Sequence, residues 1–476
     1  MVKSYALYIN GEWTKTEEEL EVLNKYTQEP YAKVAKASEK EVDMAIEAAH
    51  KAYKREKIAP YDRYKILKKV SELLQENKEE LAKNITLEAG KPLKQARTEI
   101  DRATQTFELS AEEAKRIHGE GVPVEAAPGS ENRMAFTIKV PVGVVGAISP
   151  FNFPINLVSH KIAPAIAAGN AVVLKPASKT PISAIKLAEL FEKAGLPKGF
   201  FNVVVGSGST VGNQMMEDPR INLYTFTGSA KVGLMLKQNT GLNKLVLELG
   251  NNSPVIIDKE ADIKAAAQNV AAKSYAFAGQ VCISVQRIYV HEDIRDEFQD
   301  QFIQSIKELK VGDPNDPDTD VGPMISEDEA KRAEEWMEEA KQAGAEVVFG
   351  GEREGALLQP TILTNVNNDM KVVCEEMFAP VVNLIPFTDM TECIQEVNQS
   401  QYGLQGGIFT QNIDTAFYAA RNVEVGGLMI NDSSQYRVDL MPYGGVKGSG
   451  WGKEGPKYTI EDMTEERLIV MNLQNK

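Results

Sequence analysis

The 476-residue sequence predicts an α/β protein with two parallel-sheet domains and a small additional β element. Short runs rich in valine and isoleucine alternate with helical stretches from about residue 142 to residue 386, a pattern typical of parallel sheets covered by helices. The chain is also too long for one ordinary domain, since a domain usually has roughly 100–200 residues. We therefore expect two or three domains.

The first third of the chain, after a short extended opening, is predicted to be mainly helical. Ser38 and Glu41 have the spacing of a capping box, and an alanine-rich stretch follows them. Two longer amphipathic stretches cover residues 61–88 and 92–117. These stretches are predicted to be helices.

Two series of apolar runs predict the two sheets. The first series is VGVVGAIS, AVVLK, FNVVV, INLYTFT and KLVLELG, and the second begins with PVIID at Pro254 and continues with SVQRIYV, EVVFG and residues 380–386. The first series ends and the second begins near Gly250. Residues 119–140 and the tail at 461–476 fit neither half but contain the strand-like runs AFTIKV and RLIVMNL. We expect these strands to pair across a subunit interface.

Charge and cysteine content exclude several classes of protein. The 53 basic and 68 acidic residues give a net charge of −15, which would repel nucleic acids and anionic membranes. The sequence has no amino-terminal signal pattern and no run of eighteen apolar residues, so we expect a cytoplasmic protein. The three cysteines have no metal-site spacing, and neither a disulfide framework nor a metal is expected.

Cys282 is the first candidate for chemistry. The segment GQVCIS follows a helix of small residues and precedes the strand SVQRIYV, which places the thiol at a helix-to-strand corner near free backbone amides. Such a corner can expose a thiol to a cleft and activate it as a nucleophile. The alternative is a packed core cysteine, the role that we assign to Cys374 and Cys393.

Glu248 is the second candidate. It stands between Leu247 and Leu249 at the end of the apolar strand KLVLELG, and glutamate is seldom buried unless it is paired or functional. The carboxyl ends of strands in α/β sheets are where active-site clefts form. The alternative is an edge-strand glutamate that points to solvent.

Together with Cys282 and Glu248, six motifs make the chain resemble the NAD(P)-dependent aldehyde dehydrogenase superfamily over nearly its whole length. They occur in the family's order: PFNFP, KPASKTP, FTGS, LELG, GQVC and EEMFAP. Within the superfamily the sequence is most similar to the lactaldehyde, sulfolactaldehyde and non-phosphorylating glyceraldehyde-3-phosphate dehydrogenase group. The resemblance implies a Rossmann-like cofactor domain at 1–118 and 141–249, a catalytic domain at 250–448, and an oligomerisation element at 119–140 and 461–476.

The resemblance also implies a mechanism. Cys282 would be the nucleophile that forms a thiohemiacetal and then a thioester, and Glu248 would activate the hydrolytic water. Asn152, with the backbone NH of Cys282, would form the oxyanion hole, which needs neutral donors already aimed at the developing charge. Lys161 would help to relay the proton.

The implied cofactor is NADP or NAD. A glycine-containing turn that opens a helix can hold a pyrophosphate, and Ser178 leaves room for a 2′-phosphate, so we expect NADP to be accepted at least as well as NAD. Lys175 and Glu376 would bind the adenosine ribose and the nicotinamide ribose, although each could be an ordinary charged residue. The predicted cofactor residues are Lys175, Ser178, Phe226, Gly228, Ser229, Gly233, Leu249, Glu376 and Phe378.

The implied substrate is a small aldehyde such as lactaldehyde, sulfolactaldehyde or glyceraldehyde 3-phosphate. Two arginines that face one cleft would favour an anionic tail, although both could be surface residues. Succinate semialdehyde or a broad range of aldehydes is the alternative. The predicted substrate residues are Arg102, Tyr436, Arg437, Val281 and Ile283.

Three alternative functions fit the sequence less well. An enzyme that passes its acyl group to coenzyme A would not need Glu248, and a silent structural paralogue would not need to retain Cys282, Glu248 and Asn152 together. A cysteine hydrolase would need a histidine triad, and the four histidines suggest none. We therefore expect an active homo-oligomeric dehydrogenase, a tetramer or a dimer, that hydrolyses its thioester.

Overall fold

The computed structural model describes residues 3–473. Residues 1–2 of the predicted cofactor domain and residues 474–476 of the predicted tail lie outside the described residues.

Within residues 3–473 the strands form five sheets. The first large sheet contains, in spatial order, β22 (Gly450–Trp451), β12 (Lys244–Glu248), β11 (Leu223–Thr227), β8 (Val144–Ile148), β9 (Ala171–Lys175), β10 (Phe201–Val203), β2 (Leu7–Ile9) and β3 (Glu12–Thr14). The second large sheet contains β15 (Glu346–Phe349), β18 (Thr361–Thr364), β19 (Val381–Phe387), β14 (Arg287–His291), β13 (Pro254–Ile257), β20 (Gln405–Phe409) and β21 (Gly427–Ile430). The small sheets contain β1 (Lys3–Tyr5), β5 (Pro30–Ala35) and β4 (Glu19–Leu23); β16 (Arg353–Glu354) and β17 (Leu357–Leu358); and β23 (Thr464–Asn472), β7 (Arg133–Pro141) and β6 (Gly121–Val122).

The α-helices of the described residues cover the sheets. They are α1 (Glu39–Arg55), α2 (Pro60–Glu76), α3 (Lys78–Ala89), α4 (Leu93–Ala114), α5 (Asn156–Ala168), α6 (Ile182–Lys193), α7 (Asn213–Glu217), α8 (Ala230–Asn239), α9 (Ile263–Ser274), α10 (Arg295–Lys307), α11 (Glu327–Gln342), α12 (Lys371–Cys374), α13 (Met390–Asn398), α14 (Ile413–Asn422) and α15 (Pro456–Asp462).

Most strands of the two large sheets are parallel, as the alternating pattern predicted. In the first sheet β8 pairs in parallel with β9 and β11, and β11 pairs in parallel with β12. Every residue of β9 and β11 is buried, because helices cover both faces of the sheet. The predicted α/β fold is confirmed.

Each large sheet has its own apolar core. The first core joins α1 to α6 with the first sheet, and the second joins α9 to α11 with the second sheet. The strand β12 ends the first series and β13 begins the second, so Glu248 lies where the chain leaves one sheet for the other.

The amino-terminal third differs from the prediction in two places. The capping box at Ser38 is present, but the stretch at 61–88 is two helices rather than one, because α2 ends and α3 begins on either side of Asn77. Residues 19–35 contain the strands β4 and β5, which the sequence analysis did not predict. These strands are short and lie in a small sheet with β1, where the apolar pattern is weak.

The strands at the two unassigned stretches pair with each other. β23 runs antiparallel to β7 along its whole length, from Thr464 opposite Pro141 to Asn472 opposite Arg133. The two strands therefore have each other as partners within one chain, which the sequence analysis did not predict, and pairing across a subunit interface stays a prediction. Among residues 3–473, no helix is both long and apolar enough to cross a bilayer.

Candidate active site

A strained turn presents Cys282. After α9 ends, Phe277 and Ala278 have φ angles of 49° and 52°, a left-handed conformation that is rare outside glycine. Gly279 follows with φ +69°, and a Cβ there would lie 2.1 Å from the carbonyl oxygen of Ala379. Only glycine allows this close approach, which packs the turn against the segment at Ala379 and sets the position of Cys282.

Cys282 is a partly exposed residue, and its thiol has one hydrogen-bond partner among the described residues. Its sulfur lies 2.9 Å from the hydroxyl oxygen of Tyr443. Burial raises the pKa of the Cys282 thiol to about 12, against the opposing influence of Tyr443 and of the Arg437 charge. Burial therefore disfavours the thiolate form of Cys282.

Glu248 is the last residue of β12 and its side chain is buried, with 2% exposure. Neither carboxylate oxygen has a hydrogen-bond partner among residues 3–473. Burial raises the pKa of Glu248 well above its usual range, and the neighbouring negative charge of Glu454 raises it further. A buried and unpartnered carboxyl is suited to accept a proton from a bound water.

Asn152 lies in the loop after β8. Its Nδ2 donates to the carbonyl oxygen of Gln280 at 2.9 Å, which uses one of its two hydrogens, and Oδ1 has no partner in the described part of the chain. The second hydrogen is left for another acceptor. Gln280 is two residues before Cys282, so this hydrogen bond ties the Asn152 amide to the nucleophile turn.

Two clefts meet at the turn that carries Cys282. The first cleft has a volume of ≈360 Å³ and is lined by Asn152 and Cys282. The second cleft has a volume of ≈490 Å³ and is lined by Val281 and Ile283, the two neighbours of Cys282. A molecule in either cleft therefore lies beside the same turn. A further cavity of ≈570 Å³, between α4 and the carboxyl-terminal segment, contains none of the predicted site residues.

The first cleft brings together five of the nine predicted cofactor residues: Gly228, Ser229, Leu249, Glu376 and Phe378. Ser229 is the residue before α8, so the free backbone amides of that helix face the cleft. Backbone NH of Asn251 donates to Oε1 of Glu376 at 3.0 Å, and burial raises the pKa of Glu376 to about 7.

The other four predicted cofactor residues do not line the first cleft. Phe226 and Gly233 lie beneath it, since a Cβ on Gly228 would meet the Phe226 ring at 2.5 Å and a Cβ on Gly233 would meet Leu249 at 2.4 Å. Ser178 donates to the carbonyl oxygen of Gly206 at 2.8 Å.

Lys175 lies at the end of β9, and its ammonium group donates to the carbonyl oxygen of Pro176 at 3.2 Å. Burial lowers the pKa of Lys175 to about 8. A buried ammonium with a single carbonyl partner is available to a further acceptor.

The donors and acceptors of the first cleft fit a nicotinamide dinucleotide. Free amides at the start of α8, from Ser229 onward, suit a pyrophosphate, and the Glu376 carboxyl suits ribose hydroxyls. Phe151 and Phe378 give an apolar wall whose ring centroids are 5.8 Å apart.

The second cleft is lined by all five predicted substrate residues: Arg102, Tyr436, Arg437, Val281 and Ile283. Both arginines are paired already. Arg102 donates to Asp439 from Nε at 3.1 Å and from NH2 at 2.8 Å, and Arg437 donates to Glu454 at 3.1 Å. Tyr436 is exposed, whereas the Arg437 side chain is only 5% exposed.

A buried polar network lies behind the clefts, and the sequence analysis missed four of its members: Tyr443, Glu454, Asp439 and His160. His160 lies 2.7 Å from Asp439. Lys161, the predicted relay, donates to Thr227 at 2.6 Å and to Glu454 at 3.2 Å. Burial raises the pKa of Glu454, but Lys161, Arg437 and His160 outweigh it and hold that pKa at about 2.

One signal could have found two of these residues. Tyr443 and Glu454 belong to PYGGVKGSGWGKEG, a glycine-rich stretch that also resembles the family. Their backbones form an isolated bridge, in which each NH donates to the carbonyl oxygen of the other. Asp439 and His160 gave no such signal.

The chain is similar in sequence to known proteins over nearly its whole length. Residues 13–469 match the sequence model of the family described as "Aldehyde dehydrogenase family". A 3-sulfolactaldehyde dehydrogenase from Priestia aryabhattai is 56% identical over 472 residues, which are 99% of this chain and 99% of the relative.

Two solved structures are also similar over nearly their whole length. Aldehyde dehydrogenase 21 from Physcomitrella patens, in complex with the reaction product succinate, has a TM-score of 0.96 and 41% identity, with 99% of each chain covered. A glyceraldehyde-3-phosphate dehydrogenase from Methanocaldococcus jannaschii, complexed with NADP, has a TM-score of 0.92 and 42% identity, with 96% of this chain and all of that chain covered.

Proposed function

Because the chain belongs to the aldehyde dehydrogenase family, we propose that it oxidises a small hydroxyaldehyde with an anionic tail, such as sulfolactaldehyde, to the carboxylate. One observation carries this proposal: the Cys282 turn lies between two clefts, one suited to a dinucleotide and one lined by arginines. The 56% identity to a 3-sulfolactaldehyde dehydrogenase supports this substrate over other hydroxyaldehydes.

Cys282 begins the reaction as the nucleophile. Its sulfur forms a bond to the aldehyde carbon, and the carbonyl oxygen becomes an alkoxide held by the free Nδ2 hydrogen of Asn152 and the backbone NH of Cys282. A nicotinamide cofactor, when bound, would supply the hydride acceptor for oxidation of the thiohemiacetal to a thioester. Glu376 and the free amides at the start of α8, from Ser229 onward, would hold that cofactor.

Glu248 completes the reaction as the general base. Its unpartnered carboxylate takes a proton from water, the hydroxide attacks the thioester, and the Cys282 sulfur leaves. Lys161, which donates to Thr227 at 2.6 Å and to Glu454 at 3.2 Å, is proposed to help to relay that proton. The carboxylate at this position favours hydrolysis over transfer of the acyl group to coenzyme A, and an assay for acyl-coenzyme A product tests that choice.

NADP is proposed to be accepted at least as well as NAD. No carboxylate stands at position 178, where one would repel a 2′-phosphate, and the Ser178 hydroxyl is turned to the Gly206 carbonyl oxygen at 2.8 Å. Catalytic efficiencies measured with both cofactors test this proposal. A preference for NAD above about a hundredfold, or about 2.7 kcal/mol, would reject it.

Arg102 is proposed to bind the anionic tail of the substrate. Its side chain is 23% exposed to the second cleft, so a sulfonate or phosphate can share the guanidinium with Asp439. Arg102→Met should raise KM for sulfolactaldehyde about tenfold more than for lactaldehyde, since a charge-assisted hydrogen bond is lost. Arg97→Met is the matched control, because Arg97 pairs with Glu79 on the exposed side of the same helix. Equal effects of Arg102→Met on both aldehydes would reject the assignment.

Succinate semialdehyde is the second candidate substrate. The similar aldehyde dehydrogenase 21 of Physcomitrella patens holds succinate as its reaction product. Reduced-nicotinamide absorbance with lactaldehyde, sulfolactaldehyde, glyceraldehyde 3-phosphate and succinate semialdehyde separates the candidates. The main proposal expects the highest kcat/KM with sulfolactaldehyde, and a strong preference for uncharged aldehydes would contradict it.

The proposal extends to domains and assembly. Residues 1–118 with 141–249 would bind the cofactor, residues 250–448 would carry catalysis, and residues 119–140 with 461–476 would join subunits. Apolar side chains of the last element are exposed in the single chain: Met134, Leu468, Val470, Met471 and Leu473. Light scattering should therefore give the mass of a dimer or tetramer, and a monomer would contradict this part.

A further inference from the structure

The hydroxyl of Tyr443 is fixed beside the sulfur of Cys282. The two atoms are 2.9 Å apart, and the Tyr443 side chain is buried, with 2% exposure for the residue. Two backbone hydrogen bonds join Tyr443 to Glu454. The NH of Tyr443 donates to the carbonyl oxygen of Glu454 at 3.0 Å, and the NH of Glu454 donates to the carbonyl oxygen of Tyr443 at 2.6 Å. The hydroxyl therefore cannot drift away from the sulfur without moving a buried segment.

The ring of Tyr443 is also fixed by a cation. The guanidinium carbon of Arg437 lies 3.6 Å from the ring centroid, and Arg437 is held in turn by Glu454. A cation over the ring face draws electron density from the phenol. The Tyr443 O–H thereby becomes a stronger hydrogen-bond donor.

The direction of the hydrogen bond follows from the state of the sulfur. A thiolate has no proton and only accepts, and among residues 3–473 the Tyr443 hydroxyl has no other hydrogen-bond partner than this sulfur. We propose that Tyr443 is a further catalytic residue, whose hydroxyl donates a hydrogen bond to the sulfur of Cys282 while that sulfur is the anionic nucleophile. This inference rests on the proposed role of Cys282.

The charges around the sulfur explain why a donor is needed. The positive charge of Arg437 lowers the pKa of Cys282, whereas the carboxyl groups of Glu376 and Glu248 raise it. Burial also disfavours the thiolate. A neutral donor stabilises the anion without adding a charge that would have to be neutralised later. As the sulfur–carbon bond forms, the negative charge moves to the substrate oxygen and the hydroxyl keeps its proton.

The variant Tyr443→Phe removes the hydroxyl and keeps the ring over which Arg437 lies. The test is the rate of alkylation of Cys282 by iodoacetamide between about pH 7 and pH 10, followed by mass spectrometry of the Cys282 peptide in the full-length protein. Because the pKa of Cys282 lies above this range, we expect the rate to rise with pH throughout it in both proteins. The variant should be slower at each pH, since loss of a hydrogen bond to the anion raises the pKa of Cys282 by about one further unit. The rate near pH 8 should fall about threefold, because the less stabilised thiolate is also more nucleophilic.

Two controls separate this effect from a loss of structure. Cys374, a partly exposed thiol in the same molecule, should keep its alkylation rate in the variant. Tyr224→Phe removes another buried hydroxyl, which donates to the Met215 carbonyl oxygen at 2.7 Å, and should leave the Cys282 profile unchanged.

An unchanged or faster alkylation of Cys282 in Tyr443→Phe, with Cys374 also unchanged, would overturn the inference. Failure of the proposed function would have a different signature, because the alkylation profile is measured without substrate or cofactor. If Cys282→Ser kept full turnover, Cys282 would not be the nucleophile whatever Tyr443 does to its thiol.

Discussion

Glu248 and Glu454 are two buried carboxyl groups in one site with opposite surroundings. Glu248 has no hydrogen-bond partner in the described chain, and burial together with the charge of Glu454 raises its pKa. Glu454 is equally buried but contacts Lys161 and Arg437, which hold its pKa at about 2. Burial alone therefore does not fix the charge of a carboxyl group. The paired group holds the site together, and the unpaired group is free to exchange protons.

The largest effect is expected from removing the unpaired carboxylate. Glu248→Gln should lower kcat about a thousandfold, since a general base contributes about 10²–10⁴ in rate. Steady-state rates with sulfolactaldehyde and NADP measure this change. A loss below about fivefold would show that Glu248 is not the base.

The free energy of unfolding should depend more on Glu454 than on Glu248, whereas the opposite holds for kcat. Glu454→Gln leaves Lys161 and Arg437 without their buried counterion and should lower the free energy of unfolding by about 3 kcal/mol. Glu248→Gln should change it by less than about 1 kcal/mol, because the raised pKa already favours an uncharged side chain at this position. Urea unfolding of both variants at pH 7 makes the comparison. Equal losses would contradict the account.

The smallest effect is a shift in pH dependence. Because the pKa of Glu248 is raised, its base form is lost as pH falls through a value above the ordinary 4.5, and kcat should fall with it. Glu454→Gln removes the like charge and frees two cations, so the acid limb of the kcat profile should move to lower pH by about one unit. A limb that stays in place or moves to higher pH would break the comparison.

The sequence was sufficient for features that depend on local pattern. The family and the α/β fold predicted from the six motifs and the alternating apolar runs are confirmed. The helix-to-strand corner at Cys282 and the strand end at Glu248 also lie where the flanking patterns place them. Local residue chemistry decides these positions, so a single chain segment is enough to predict each one.

The sequence was insufficient where segments far apart converge. His160 and Asp439 are separated by 279 positions and lie 2.7 Å apart, and no local pattern in either segment indicates the other. The pairing of β7 with β23 was missed for the same reason, although both strands were predicted. The two arginines of the second cleft were predicted, but not the carboxylates that already pair with them.

The central claim is that Cys282 bonds to the aldehyde carbon and that Glu248 then frees it. The most direct test mixes Glu248→Gln with sulfolactaldehyde and NADP, quenches the mixture within seconds, and determines the mass of the Cys282 peptide. The account predicts an acyl group on that peptide, together with a burst of reduced cofactor that equals the amount of enzyme. A full burst without any adduct on Cys282, or an adduct on Cys374 instead, would contradict it.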